Sequence, residues 1–232
     1  MPPRELWQGY GETPAEFLAM GKEDVEVILK VLQDAGVPTG ALNRVLDFGC
    51  GAGRVLRFFP RSSPSSELWG VAVNANFIAW CQQHLSPPLF FATTTSAPHL
   101  PFEDNYFDFV YCASVFTHIS DLADAWFLEL RRVLRKGGHA FITIHDKHTL
   151  DLLLGKYQNE PGYGQFVAQV QQFHERTSAG AQDFAYFTIG ADPYSQVFYD
   201  IHWLLDKWSR LMRVVTTIEE AHGPQTVVVF QK

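Results

Sequence analysis

Three glycines at alternate positions, Gly49, Gly51 and Gly53, follow directly on the strand-like run Arg44-Val45-Leu46-Asp47-Phe48. Glycine lacks the Cβ that blocks left-handed backbone and close approach. This spacing at the end of a buried strand therefore fits a tight turn whose N–H groups can face a ligand. Arg54 to Phe59 reads as a helical segment, giving a unit of strand, glycine turn and helix. The spacing is G-x-G-x-G. A dinucleotide fingerprint, G-x-G-x-x-G, would put its third glycine where Arg54 stands, which counts against a nicotinamide-dependent oxidoreductase.

The alternation continues on both sides of this unit. Thr13-Pro14-Ala15-Glu16 reads as a capping box that opens a helix carrying Leu18, Val25, Ile28, Leu29 and Leu32, ended by Gly36 and Pro38. Glu67 to Val73 is a second strand, with Asn74 capping a helix stopped by Ser86-Pro87-Pro88. Leu89 to Ala92 and Tyr106 to Cys112 give a third and a fourth. Ser120 or Asp121 caps a helix that Gly137-Gly138 terminates, and His139 to His145 forms the fifth strand. Strands and helices alternating in this way make an α/β, doubly wound, mostly parallel sheet with helices on both faces, and ligands sit at the carboxyl ends of such strands.

From residue 146 to about 199 the alternation lapses into a stretch rich in Gln and aromatics, including Phe166, Phe173, Phe184, Tyr186, Phe187, Tyr194 and Phe198. This reads as an insertion or lid, whose aromatics either wall a substrate pocket or form a small core of their own. A helix over 200–209 and two strands, 211–218 and 225–230, close the chain. The organisation expected is one domain over 1–232: a helical segment 1–40, a ligand-binding core 41–145, the insertion 146–199, and a terminal helix with a strand pair over 200–232.

Charge and cysteine usage narrow the class. A formal net charge of -7 argues against nucleic acid or an anionic membrane as partner, since both reward clustered Lys and Arg. Cys50, Cys81 and Cys112 have no paired spacing, and neither a secretory leader nor a run long enough to span a bilayer is read, so the expectation is a soluble, cytoplasmic protein. His145 and His148, three apart, lack further ligands of definite spacing, so no metal is read.

Val45-Leu46-Asp47-Phe48-Gly49-Cys50-Gly51-Ala52-Gly53-Arg54 resembles the first motif of the class I S-adenosylmethionine-dependent methyltransferases. Leu100-Pro101-Phe102-Glu103-Asp104-Asn105-Tyr106-Phe107-Asp108 resembles the approach to that family's fourth strand, and Arg132-Val133-Leu134-Arg135-Lys136-Gly137-Gly138 the turn before its fifth. The resemblance covers roughly residues 40 to 145. It implies a Rossmann-like, seven-stranded sheet with an antiparallel terminal strand, S-adenosylmethionine as cofactor, and methyl transfer to a small-molecule acceptor. By the same resemblance Asp47, Gly49, Cys50, Gly51, Gly53 and Arg54 hold the amino-acid end of the cofactor. Ala72, Val73 and Asn74 lie at the ribose, Ser96 and Ala97 near the adenine, and Ser114, Val115 and Phe116 flank the pocket.

One position departs from the family pattern. Ala72 stands where an Asp or Glu usually accepts hydrogen bonds from the ribose hydroxyls, and Asn74, two residues on, is positioned to replace part of that contact. The same departure leaves a second reading, a domain of this fold that has lost catalysis and serves as a partner or regulatory subunit. His118 after the fourth strand and His145 at the end of the fifth are the candidate general bases, with capping or rim hydrogen bonds as the structural alternative.

Overall fold

The computed structural model describes residues 1–160, 162–177, 185–190 and 195–232, with backbone alone over 173–177. Thr13 starts α1 (Pro14–Asp34): its hydroxyl accepts the Glu16 N–H at 3.2 Å, Pro14 occupies the first turn, and Glu16 accepts from the Glu12 N–H at 2.7 Å. The buried stripe of α1, including Val25, Ile28 and Leu32, covers one face of a central sheet.

That sheet contains β1 (Arg44–Phe48), β2 (Glu67–Ala72), β3 (Phe90–Thr93), β4 (Phe107–Cys112), β5 (Leu134–Ile144), β8 (Arg213–His222) and β9 (Gln225–Gln231). Their order is β3-β2-β1-β4-β5-β9-β8. Only β9 runs against its neighbours, pairing antiparallel with both β5 and β8. The sheet is thus the doubly wound, seven-stranded Rossmann-like arrangement the sequence implied. α2 (Ala75–His84) follows β2, and α3 (Ala123–Val133) follows β4. The chain turns one way from β1 through β2 to β3 and the other way from β4 to β5, so a crevice opens above the carboxyl ends of β1 and β4.

Both faces of the sheet are filled, which explains the nearly unbroken apolar strands. On one side Phe107, Trp126, Phe127, Leu130, Trp208 and Phe230 pack together, with Trp208 stacked on Phe127 at 4.2 Å between ring centroids. On the other, Phe59 stacks on Tyr111 at 5.5 Å below α1.

Residues 147–199 contribute α4 (Lys147–Leu154), α5 (Gly164–Thr177), β6 (Tyr186–Ile189) and β7 (Gln196–Tyr199), with β6 and β7 forming their own two-stranded sheet. Leu153, Val167, Val170, Ile189 and Phe198 form a separate buried cluster, against which Phe166 and Phe187 pack. Those aromatics make a local core. Phe184 and Tyr194 lie outside the described residues, as does the side chain of Phe173. α6 (Ile201–Trp208), capped by Asp200 through the Trp203 N–H at 2.6 Å, leads back to the sheet.

Three local expectations are corrected. No α-helix follows the glycine loop: residues 51–55 turn, and only Leu56–Phe58 forms a short 3-10 turn. Pro60 disfavours helical backbone at Phe59, and the Arg57 guanidinium takes the Gly53 and Ala52 carbonyls at 2.8 and 2.7 Å. Leu122, without a side-chain cap, precedes α3 in place of Ser120 or Asp121. Gly137 and Gly138 lie within β5, because the chain passes from Val133 straight into that strand.

Candidate active site

Asp47 is the penultimate residue of β1, in register with Gly70 on β2 and Tyr111 on β4. The turn after it is clipped to β2, since the N–H groups of Gly49 and Cys50 both donate to the Val71 carbonyl, at 2.9 and 3.0 Å. Gly49 has φ +92° and Gly51 φ +50°. A Cβ on Gly49 would overlap Val115 Cγ2, and one on Gly51 would overlap Gln8 Oε1. Gly53 has a different use: a Cβ there would meet Leu85 Cδ1 at 2.8 Å, so it allows packing beneath the loop.

Two cavities adjoin at this turn. The larger, about 510 Å³, is bounded by Phe48, Gly49 and Gly51, by Ala72 at the end of β2 with Val73 and Asn74 beyond it, and by Thr94 and Ser96 after β3. Val115, Ile119, Leu122 and Trp126 give it an apolar side. The smaller, about 210 Å³, holds Asp47, Cys50, Arg54 and Tyr111 under a roof of Trp7 and Tyr10. Gln8, Gly49, Ser114 and His118 line both.

The smaller cavity carries opposite charges in a buried setting. Burial pushes the Asp47 carboxyl up to about 7, with the Tyr111 hydroxyl and the Arg54 guanidinium pulling it partly back. Arg54 is itself buried, donates from Nη2 to Asp24 Oδ2 at 2.6 Å, and lies under the Tyr10 ring at 3.7 Å from the centroid. Its Nη1 has no partner among the described residues. Burial also raises the Cys50 thiol well above its ordinary value, so Cys50 is a small packing residue here.

In the larger cavity, Asn74 Oδ1 accepts the Asn76 N–H at 2.9 Å and so caps α2. Asn74 is exposed and lines this cavity, and its carboxamide NH₂ makes no hydrogen bond to a described residue. Thr94 donates its backbone N–H to the Ala72 carbonyl at 3.0 Å, and its buried hydroxyl has no partner among the described residues. Ala97 and Phe116 line neither cavity, and Phe116 is fully buried in the core behind the wall. Sequence reasoning missed Gln8, Trp7, Tyr10, Thr94, Trp126 and Ser195. Only Thr94, a hydroxyl just past a strand end, left a readable signal.

The two histidines separate. His118 is exposed on the rim of both cavities, with Nδ1 2.7 Å from the Ser195 carbonyl. His145, expected at the rim, is instead buried beside Phe198 and Phe166, lines neither cavity, and has Nε2 3.1 Å from Gln196 Oε1. Burial lowers it to about 3. Among the described residues, no three His, Cys, Asp or Glu side chains gather as a metal site.

The methyltransferase-domain family model matches residues 46–142, the stretch that carries β1, the glycine turn and both cavity floors. Over that stretch the chain carries a methyltransferase domain, in keeping with the class I S-adenosylmethionine-dependent methyltransferases. The chain is similar to curated relatives over part of its length. An uncharacterized methyltransferase of Schizosaccharomyces pombe is 31% identical over 42% of this chain and 38% of its own. A demethylmenaquinone methyltransferase of Thermotoga maritima is 28% identical over 67% of this chain and 57% of its own. A ubiquinone/menaquinone biosynthesis C-methyltransferase of Burkholderia cenocepacia is 29% identical over 43% and 42%. The chain thus spans 38 to 57% of the length of these relatives. Among solved structures, a Pyrococcus horikoshii protein superposes with TM-score 0.60 at 17% identity, covering 90% of this chain and 89% of that one. An S-adenosylmethionine dependent methyltransferase from Mesorhizobium loti gives 0.59 at 15%, covering 89% and 98%. These are likenesses of fold.

The residues present fit S-adenosylmethionine, the cofactor that goes with this family. Gly49 leaves backbone bare at the junction of the two cavities and Gly51 beside it in the larger one, and the orphaned Thr94 hydroxyl stands beside Ala72, where the family's acid is missing. The buried Asp47 carboxyl, neutral or charged according to its surroundings, offers a counter-charge to an ammonium.

Proposed function

We propose that this methyltransferase moves a methyl group from S-adenosylmethionine to a small-molecule acceptor. The observation that carries the reading is the pair of adjoining cavities, one with a carboxyl and a guanidinium for a zwitterionic amino-acid group, the other with room for a nucleoside and an acceptor. When bound, S-adenosylmethionine supplies an electrophilic methyl carbon on a sulfonium. Asp47 would hold the ammonium and Arg54 the carboxylate, with Gly49 and Gly51 giving backbone contact between them. Asn74, Thr94 and Ser96 would meet the nucleoside.

In this reading His118 takes the proton, a role supported by its position on the rim of both cavities. A carbonyl only accepts, so the contact with Ser195 requires the proton on His118 Nδ1 and leaves the Nε2 lone pair free. That lone pair can deprotonate an acceptor hydroxyl, amine or acidic C–H, while the cavity aligns the attacking atom. The insertion 146–199 contributes Ser195 to the wall and so sets the His118 ring; in this reading it selects the acceptor and excludes water. Ile119, Leu122 and Trp126 suit a largely apolar, ring-bearing acceptor. The Thermotoga relative, named for demethylmenaquinone, and the Burkholderia relative, named for ubiquinone/menaquinone biosynthesis, support the same class.

The net charge of -7 goes with small-molecule partners rather than nucleic acid, and the free, buried Cys50, Cys81 and Cys112 go with a reducing, cytoplasmic setting. Among the described residues no helix is long and apolar enough to cross a membrane. The test is incubation with methyl-labelled S-adenosylmethionine and a panel of phenols, quinols, amines and carboxylates. Label in one class, matched by S-adenosylhomocysteine and lost in His118→Gln, supports transfer. Ala72 favours the second reading, a catalytically impaired binding domain. That reading expects no label in any class and no cofactor affinity even in Ala72→Asp.

A further inference from the structure

Gln8 lies in the left-handed region, at φ +56°, which few non-glycine residues adopt and which persists only where the surroundings impose it. The imposition comes from both sides. Before it, Trp7 is buried, donates its indole N–H to the Pro2 carbonyl at 2.9 Å, and packs on Phe17 of α1 at 5.2 Å between ring centroids. After it, Tyr10 covers the Arg54 guanidinium. Two anchors therefore pin a strap across the glycine loop, and the residue between them takes the uncommon backbone conformation.

The side chain of Gln8 goes where the loop leaves space for it. Its Oε1 stands where a side chain on Gly51 would be, and the residue lines both cavities at their junction. Gln8 is exposed, and its carboxamide makes no hydrogen bond to any described residue. A carboxamide donates through Nε2 and accepts through Oε1, which suits a group that carries both an ammonium and a carboxylate. Asp47 and Arg54 mark the smaller cavity as the place for such a group.

Resting on the methyltransferase reading, we propose that Gln8 is a cofactor-binding residue. Its carboxamide closes over the amino-acid end of S-adenosylmethionine and makes the site select ligands that carry that end. The α-carboxylate takes the Nε2 donor, alongside Arg54. The strap of residues 4–12 is thereby a specificity element of the site as well as packing for α1.

The experiment titrates the full chain, Gln8→Ala and Gln8→Glu with S-adenosylhomocysteine and with 5′-methylthioadenosine, which keeps the nucleoside and thioether but lacks the amino-acid end. A lost hydrogen bond to a charged group predicts about a tenfold or greater loss of S-adenosylhomocysteine affinity in Gln8→Ala. Methylthioadenosine affinity should stay within about twofold, given that no amino-acid group is present to be held. Gln8→Glu should bind S-adenosylhomocysteine more weakly than Gln8→Ala, because a carboxylate repels the α-carboxylate. If Gln8 only fills space over Gly51, the near-isosteric Glu restores binding, or both ligands weaken together. Either result overturns the proposal while leaving the methyltransferase reading intact. Failure of the unsubstituted chain to bind S-adenosylhomocysteine removes that reading and the proposal with it.

Discussion

Arg54 Nη2 donates to Asp24 Oδ2 at 2.6 Å, and this ion pair ties the middle of α1 to the end of the glycine loop. Gly21, one turn earlier on α1, lets the helix lie directly on the Arg54 backbone; a Cβ there would overlap the Arg54 carbonyl. His222 from β8 reaches the same carboxylate, Nδ1 to Asp24 Oδ1, at 3.5 Å. Three distant segments thus hold the guanidinium beside the smaller cavity. Removing Asp24 leaves a buried, uncompensated charge, so Asp24→Ala is expected to cost roughly 3–5 kcal/mol of stability. Urea denaturation checks this, with Asp24→Asn, which keeps an acceptor, losing less.

Asp47 sets a pH dependence of known sign. Its carboxyl is raised to about 7 by burial, above the unfolded value, so between those two values the folded state keeps a proton that the unfolded chain has lost. Its contribution to stability is full below the unfolded value and is lost as pH rises through about 7. Asp47→Asn should therefore be more stable than the unsubstituted chain at about pH 8, by a few kcal/mol, with the two converging below about pH 4. The same variant should bind S-adenosylhomocysteine at least about tenfold more weakly. Denaturation and calorimetry across pH test both halves, and a variant that is both less stable and equally tight would contradict them.

Ala72→Asp restores an acid at the end of β2, where the larger cavity meets Thr94. S-adenosylhomocysteine affinity should rise about tenfold, through a charge-assisted hydrogen bond to ribose. The free protein should become less stable, because position 72 is buried and a lone carboxylate there loses hydration. Titration and thermal melts with and without ligand report the two effects separately.

His118→Gln should lower turnover by roughly 10²–10⁴-fold while leaving S-adenosylhomocysteine affinity within about twofold. His145→Gln should leave the proton-transfer step intact, since His145 lines neither cavity. Equal losses in the two variants would remove His118 from the proposed role.

The parts of the fold that depend on local pattern were legible. Buried strands read as apolar runs, Thr13 and Asn74 cap helices as their residue types require, and the glycines at 49 and 51 mark a turn that side chains would block. What the pattern did not carry is set by contacts across long stretches of chain. His145 is buried because β7, about fifty residues later, pairs with it through Phe198. Gln8 has no periodic or motif signal at all; its place follows from Trp7 packing on α1 and Tyr10 on Arg54. The missing helix after Gly53 reflects a side-chain competition, Arg57 binding two loop carbonyls, that residue propensity does not contain.

The most direct test is calorimetric titration of the unsubstituted chain with S-adenosylhomocysteine in buffers of differing ionisation enthalpy. Binding should be one-to-one and release a proton at about pH 6, as the ammonium ionises Asp47, with the release fading above about pH 8. Absence of heat and of any thermal shift at millimolar ligand would contradict it.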